Sequence, residues 1–168
     1  MIRSLFFSMV ILLSSTTLCA QKYQQDVQSI DAIIKALYES ISGEAGEARD
    51  WERFKYLFAA DAKLIPTSKN AEGKIVYRTM SAADYVEMFS TRITTGFFEW
   101  ELSRVTEEYS SVAHVFSTYI TKQSKDGPIT NRGINSIQLL KDDERYYIMN
   151  IFWAAESLGV PLPDKYIK

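Results

Sequence analysis

The sequence predicts an α+β domain: three N-terminal helices packed against a strongly curved, mainly antiparallel sheet. Apolar residues recur at helical spacing through the first half, and from Gly96 the period changes to strand alternation. Three polar turn segments, Tyr109 to Ser111, Ser124 to Pro128 and Lys141 to Glu144, then divide the remainder into four strands. Strands joined by short turns read as a meander.

Residues 1–20 are set apart from the fold. Arg3 supplies a positive start, Leu5 to Leu13 an apolar stretch, and Ser14 to Ala20 a small, polar lead-out, the pattern of a secretory signal peptide. Cleavage after Ala20 starts the mature domain at Gln21. Leu18 departs from the small-residue pattern on either side of the alternatives: it stands at minus three for that cleavage, and at minus one for a lipoprotein cut before Cys19. The nine residues of the apolar stretch are too few to span a bilayer, so no stable membrane span is expected in the mature chain. Processing removes one cation, Arg3, and takes the formal net charge from -2 to -3. It also removes the single cysteine, leaving no disulfide and no thiolate nucleophile.

The remainder, 21–168, reads as one domain with its core over about 25–156 and a tail over 157–168. Val27, Ile30, Ile33, Ile34, Leu37 and Ile41 give a first helix over about 23–42, stopped by Gly43. Asp50 caps a short second helix carrying Trp51, Phe54, Leu57 and Phe58. Ala62 to Pro66 is a first strand and Ile75 to Arg78 a second. Ser81 with Asp84 resembles a capping box, opening a third helix with Tyr85, Val86, Phe89 and Ile93 on one side. The four strands of the meander are Phe97 to Glu108, Val112 to Lys122, Thr130 to Leu140 and Arg145 to Ala155. Gly159, Pro161 and Pro163 make the tail an irregular cover or arm.

A domain of this length buries roughly two thirds of its unfolded surface and needs no staples. A formal charge of -2 supplies no global field for phosphates, so nucleic acid is not an expected partner. One histidine and no mature cysteine make a tight transition-metal site improbable, and no cofactor is expected.

The helix order, Asp50-Trp51 followed by Leu57-Phe58-Ala59-Ala60-Asp61-Ala62, the third helix, and the closing meander with Trp153 resemble the nuclear transport factor 2-like superfamily, and within it the SnoaL-like group. The resemblance spans about residues 25–156. It implies a cone-shaped α+β barrel with a central cavity, often dimeric, used by different relatives as isomerases, dehydratases, cyclases, carriers or interaction modules. Fold does not choose among these. Aligned with the steroid-isomerase branch, Pro66 stands where a base is needed and Ser136 where an acid is needed, while the helix-1 tyrosine falls near Leu37 or Tyr38. Two of three roles are missing, so that chemistry is not implied.

The same alignment implies that Arg132, Ile134, Ser136 and Gln138 face inward, with Met149, Ile151 and Trp153 across the last hairpin. A slip of one residue would reverse the assignment. Arg132 either clamps a ligand carboxylate or pairs with a nearby acid at the rim. Ser136 and Gln138 either bind a ligand or satisfy each other and water. His114, in phase with Phe116 and Thr118, is either a proton-transfer group or a hydrogen-bonded core residue. Trp51, Phe58, Tyr38, Phe116, Met149 and Trp153 complete the expected pocket, although aromatics at such spacing are mostly core. Glu99, Glu101, Glu107 and Glu108 with Arg104 read as a solvated outer strand face. Phe98 and Trp100 fit neither a clean core nor a clean surface set, and the alternative is that a wide sheet face carrying Phe98, Trp100 and Tyr119 forms a homodimer contact.

Three functions follow as expectations. The first is an exported protein binding a small, partly apolar molecule through Arg132, Ser136 and Gln138. The second is a cofactor-free lyase or isomerase using His114. The third is a dimeric interaction module.

Overall fold

A short 3₁₀ turn, Gln24–Val27, leads into α1 (Ile30–Ile41), α2 (Trp51–Tyr56), β1 (Phe58–Lys69), β2 (Ile75–Tyr77), α3 (Ala82–Arg92) and then β3 (Phe98–Tyr109), β4 (Val112–Lys122), β5 (Ile129–Lys141) and β6 (Tyr146–Ala155). This is a computed structural model describing residues 22–167, so the expected signal segment lies outside the described residues. None of the helices described is long and apolar enough to cross a membrane.

Each helix begins where its capping residue directs it. Ser29 Oγ accepts from Ala32 N at 3.1 Å and Asp50 Oδ1 from Arg53 N at 3.0 Å. At α3 the capping box is reciprocal: Ser81 Oγ accepts from Asp84 N at 3.1 Å, and Asp84 Oδ2 from Ser81 N at 2.9 Å. The second helix is shorter than its apolar spacing suggested. It ends at Tyr56, and Phe58 already belongs to a first strand that extends to Lys69 rather than Pro66.

The six strands form one sheet in the order β2-β1-β6-β5-β4-β3. All neighbours are antiparallel except β1 and β6, which run parallel, Leu64 opposite Ile151. The meander is therefore continuous, and the first strand closes its far side. Register shifts interrupt β3 at Leu102 and β6 at Met149, and such bulges bend a strand and increase its twist. The helices fill the concave side, where Ile33, Ile34, Phe54, Leu57, Val115, Ile137 and Ile148 are all but fully buried.

Register settles which face each strand residue takes. On β4 the buried positions of the concave phase are Ala113, Val115, Ser117, Tyr119 and Thr121, with Thr118 of the opposite phase buried as well, and on β5 they are Gly133, Asn135, Ile137 and Leu139. Arg132, Ile134, Ser136 and Gln138 thus lie on the convex face, one residue out of phase with the expected inward set. The physical reason is that the convex face is itself partly covered. Tyr166 of the tail packs on Phe116 with ring centroids 5.1 Å apart, and Ser103 Oγ donates to the Tyr166 carbonyl. Both faces therefore carry apolar residues, and alternation alone does not distinguish them.

Candidate functional site

Between α1, α3 and the concave sheet lies a cavity of about 240 Å³. Its walls are Leu37 and Ile41 of α1, Phe54 of α2, Leu64 of β1, Tyr85, Met88 and Phe89 of α3, and Ile151 and Trp153 of β6. Of the lining, Tyr85, Met88, Ile93, Phe97, Glu99, Asn131 and Trp153 keep partial exposure. Polar groups enter from three strands: Glu99 of β3, Tyr119 and Thr121 of β4, and Asn131 and Asn135 of β5. Gly133 is required here for close approach, since a Cβ there would stand 2.6 Å from the Tyr119 hydroxyl and 2.3 Å from the Ala154 carbonyl oxygen.

Glu99 is the chemically distinctive group. Glu99 is half-buried and borders both this cavity and a second hollow against α1, with protein crowded around its carboxylate. Removal from bulk water pushes its pKa up from 4.5 to about 8, against a smaller opposing effect from the Asn135 amide. Nδ2 of Asn135 is 3.5 Å from Glu99 Oε1. No lysine, arginine or histidine lines the cavity to compensate the charge. Burial, reinforced by the Glu99 charge, also raises the Tyr38, Tyr85 and Tyr119 hydroxyls, so all three are neutral at physiological pH.

A buried network holds Asn135 in place. Its Nδ2 also donates to the Tyr38 hydroxyl at 3.1 Å, which stands 2.7 Å from Ser117 Oγ, which in turn donates to Glu101 Oε1 at 2.7 Å. Because the Ser117 proton is committed to Glu101, Tyr38 donates to Ser117 and accepts from Asn135. Glu101 continues to Arg104 at 3.7 Å, and Arg104 pairs with Asp31 of α1. Glu99 and Glu101 are therefore turned to the concave side, correcting the expectation of a solvated outer acidic face. Glu107 and Glu108 are exposed.

Of the residues expected to contact ligand, Trp153 lines the cavity. Tyr38 stands behind it, holding Asn135, and Trp51 and Phe58 pack around Phe54 with centroids at 5.8 and 4.8 Å. Arg132 lies on the convex face, paired with Glu156, the local ion pair that was the alternative to a ligand clamp. Ser136 is also on that face, 3.0 Å from His114 Nε2, with Gln138 exposed beside them. His114 leans on Phe116 at 5.9 Å and does not reach the cavity. Met149 occupies the β6 bulge. Tyr119 points into the cavity, so it cannot share an outer surface with Phe98 and Trp100, whose rings stack at 5.7 Å.

Asn131, Asn135 and Glu99 were missed, and one signal marked two of them. Asn131, Gly133 and Asn135 share the phase of Ile137 and Leu139, and a glycine within a strand flags a close approach.

No family model matches the sequence, and no curated protein matches it. Solved structures do. A cystatin-like-fold protein of unknown function from Nostoc punctiforme superposes with a TM-score of 0.55 at 14% identity, covering 77% of this chain and 94% of that one. The beta subunit of a putative aromatic-ring-hydroxylating dioxygenase from Novosphingobium aromaticivorans gives 0.56 at 13%, covering 76% and 88%. LinA gives 0.54 at 7%, covering 83% and 87%. The chain has the cystatin-like α+β fold.

Proposed function

We propose that this is an exported protein that binds one small, largely apolar molecule in the cone, with Glu99, Asn131 and Asn135 at its polar end. The observation carrying the reading is a carboxyl and two amides in the lining of a mainly apolar and aromatic cavity. A volume of about 240 Å³ lies below the range of roughly 300–1,000 Å³ usual for drug-sized ligands, which favours a compact molecule. Export is supported by Arg3, the apolar stretch after it and the small residues up to Ala20. The exposed Val105, Val112, Leu140 and Phe152 on the convex face supply the surface for a homodimer.

The test is to denature the purified protein, extract it, and identify any co-purified small molecule by mass spectrometry. The parent is compared with Asn131→Trp, which adds bulk to the cavity wall. A molecule present in the parent and depleted in the variant supports the reading, and an empty parent that also binds nothing from a compact-metabolite panel contradicts it.

A second reading, a cofactor-free lyase or isomerase, is favoured by the raised affinity of Glu99 for its proton. In it Glu99 takes the proton-transfer role first expected of His114. Turnover of the identified ligand by the parent, lost in Glu99→Gln with binding retained, distinguishes enzyme from carrier.

A further inference from the structure

The strongest unexplained feature of the cavity is its charge pattern. Glu99 is the sole ionisable carboxyl among the lining residues, and six aromatic rings line the same cavity: Phe54, Tyr85, Phe89, Phe97, Tyr119 and Trp153. Rings are negative on their faces and attract cations, most strongly where water is excluded. A carboxylate enclosed without a counter-ion is costly unless a positive charge joins it. The lining supplies none: it contains no lysine, arginine or histidine, and the neutral Asn135 amide lies 3.5 Å from the carboxylate. The cations on the other side of Glu99, where it borders a second hollow against α1, are paired with acids, Lys35 with Glu39 and Arg104 with Asp31 and Glu101. Within the cavity the other polar groups are neutral, including the Tyr85 and Tyr119 hydroxyls.

We propose that the ligand class of this cone is small organic cations, an ammonium group on a compact apolar body, with the charge seated between the Glu99 carboxylate and the aromatic lining. The proposal rests on the small-molecule reading above and narrows it to one charge class. An anionic ligand would meet Glu99 with no compensating cation, and a neutral one would leave the carboxylate unpaired whenever it ionised. A cation has the further effect of displacing the Glu99 proton. For a permanent cation, affinity therefore rises with pH, approaching tenfold per unit below about pH 8, and flattens above it.

The experiment is isothermal titration calorimetry on the purified protein with choline and benzyltrimethylammonium as cations, 3,3-dimethylbutan-1-ol as the neutral isostere of choline, and 3,3-dimethylbutanoate as the anion. At about pH 8.5 at least one cation binds ten or more times tighter than the alcohol, and the anion does not bind. Glu99→Gln, which keeps shape and hydrogen bonding, loses the preference for cation over alcohol. Independently of any variant, titration at pH 7 in buffers of different ionisation enthalpy gives release of close to one proton per cation bound by the unmodified protein. Binding of the alcohol as tightly as the cations, a cation preference that survives Glu99→Gln, or binding without proton release would each overturn the proposal. So would failure of both cations to bind. If the alcohol or a co-purified neutral molecule still occupies the cavity, only the charge class is wrong. A cavity that takes none of the probes and yields no co-purified molecule removes the small-molecule reading as well.

Discussion

The Asn135 amide stands between the Tyr38 hydroxyl, 3.1 Å away, and Glu99 Oε1, 3.5 Å away, so a residue in the middle of the sheet ties the first helix to the cavity carboxyl. This link gives the cone a chemically defined end. Everything on the far side of Asn135 is structural, and Glu99 is the group presented to whatever enters.

Glu99 makes stability depend on pH with a definite sign. The folded protein holds this proton up to about pH 8, whereas the unfolded chain releases it near 4.5. Between those values the native state binds more protons, so the contribution is fully present below about 4.5 and is lost as pH rises through 8. Denaturant unfolding should show a downward slope of up to about 1.4 kcal/mol per pH unit in this window for the parent relative to Glu99→Gln. Parallel profiles for the two proteins would show that the carboxyl is solvated.

Tyr38→Phe should destabilise the fold by about 1–3 kcal/mol, because it leaves the buried Asn135 amide and Ser117 hydroxyl short of a partner. A double-mutant cycle with Ser117→Ala measures the coupling. Additive effects would contradict the shared hydrogen bond.

How much of this was legible beforehand is clearest strand by strand. The third helix and its capping box at Ser81 and Asp84 follow from local spacing, whereas the first helix begins at Ile30 rather than near residue 23, after a separate 3₁₀ turn, and the second ends at Tyr56. The four-strand meander follows equally well, since its turns are polar and its strands long. Strand phase did not follow. On β5 the convex Ile134 and the concave Ile137 are both apolar, and the covering Tyr166 on Phe116 is a long-range contact that strand periodicity does not encode. In the sequence Glu99 reads as a surface residue, because acidic residues usually are. Its enclosure is produced by α1 and α3 closing over the sheet, a tertiary fact without local signature.

Phe54→Ala should cost about 3–5 kcal/mol, given a side chain 1% exposed and in ring contact with Trp51, Phe58 and Tyr85. Because it also lines the cavity, the variant enlarges the site. Thermal unfolding read beside ligand affinity separates the two effects, and an unchanged midpoint would mean the helices do not pack as described.

Arg132→Ala and His114→Ala should leave cavity binding unaltered, since both residues lie on the convex face. Loss of Arg132 removes the partner of Glu156, whose other oxygen accepts from Leu162 N at 2.7 Å. Limited proteolysis should therefore cut the tail beyond Ala155 faster in that variant. Loss of ligand binding in either would place the pocket on the opposite side of the sheet.

The central claim is that Glu99 is the enclosed carboxyl at the working end of the cone. Its most direct test is a carbon-13 NMR titration of the glutamate side-chain carboxyls, with the Glu99 resonance assigned by its disappearance in Glu99→Gln. A midpoint near 8 is the predicted result, and a midpoint near the ordinary 4.5 would contradict the account.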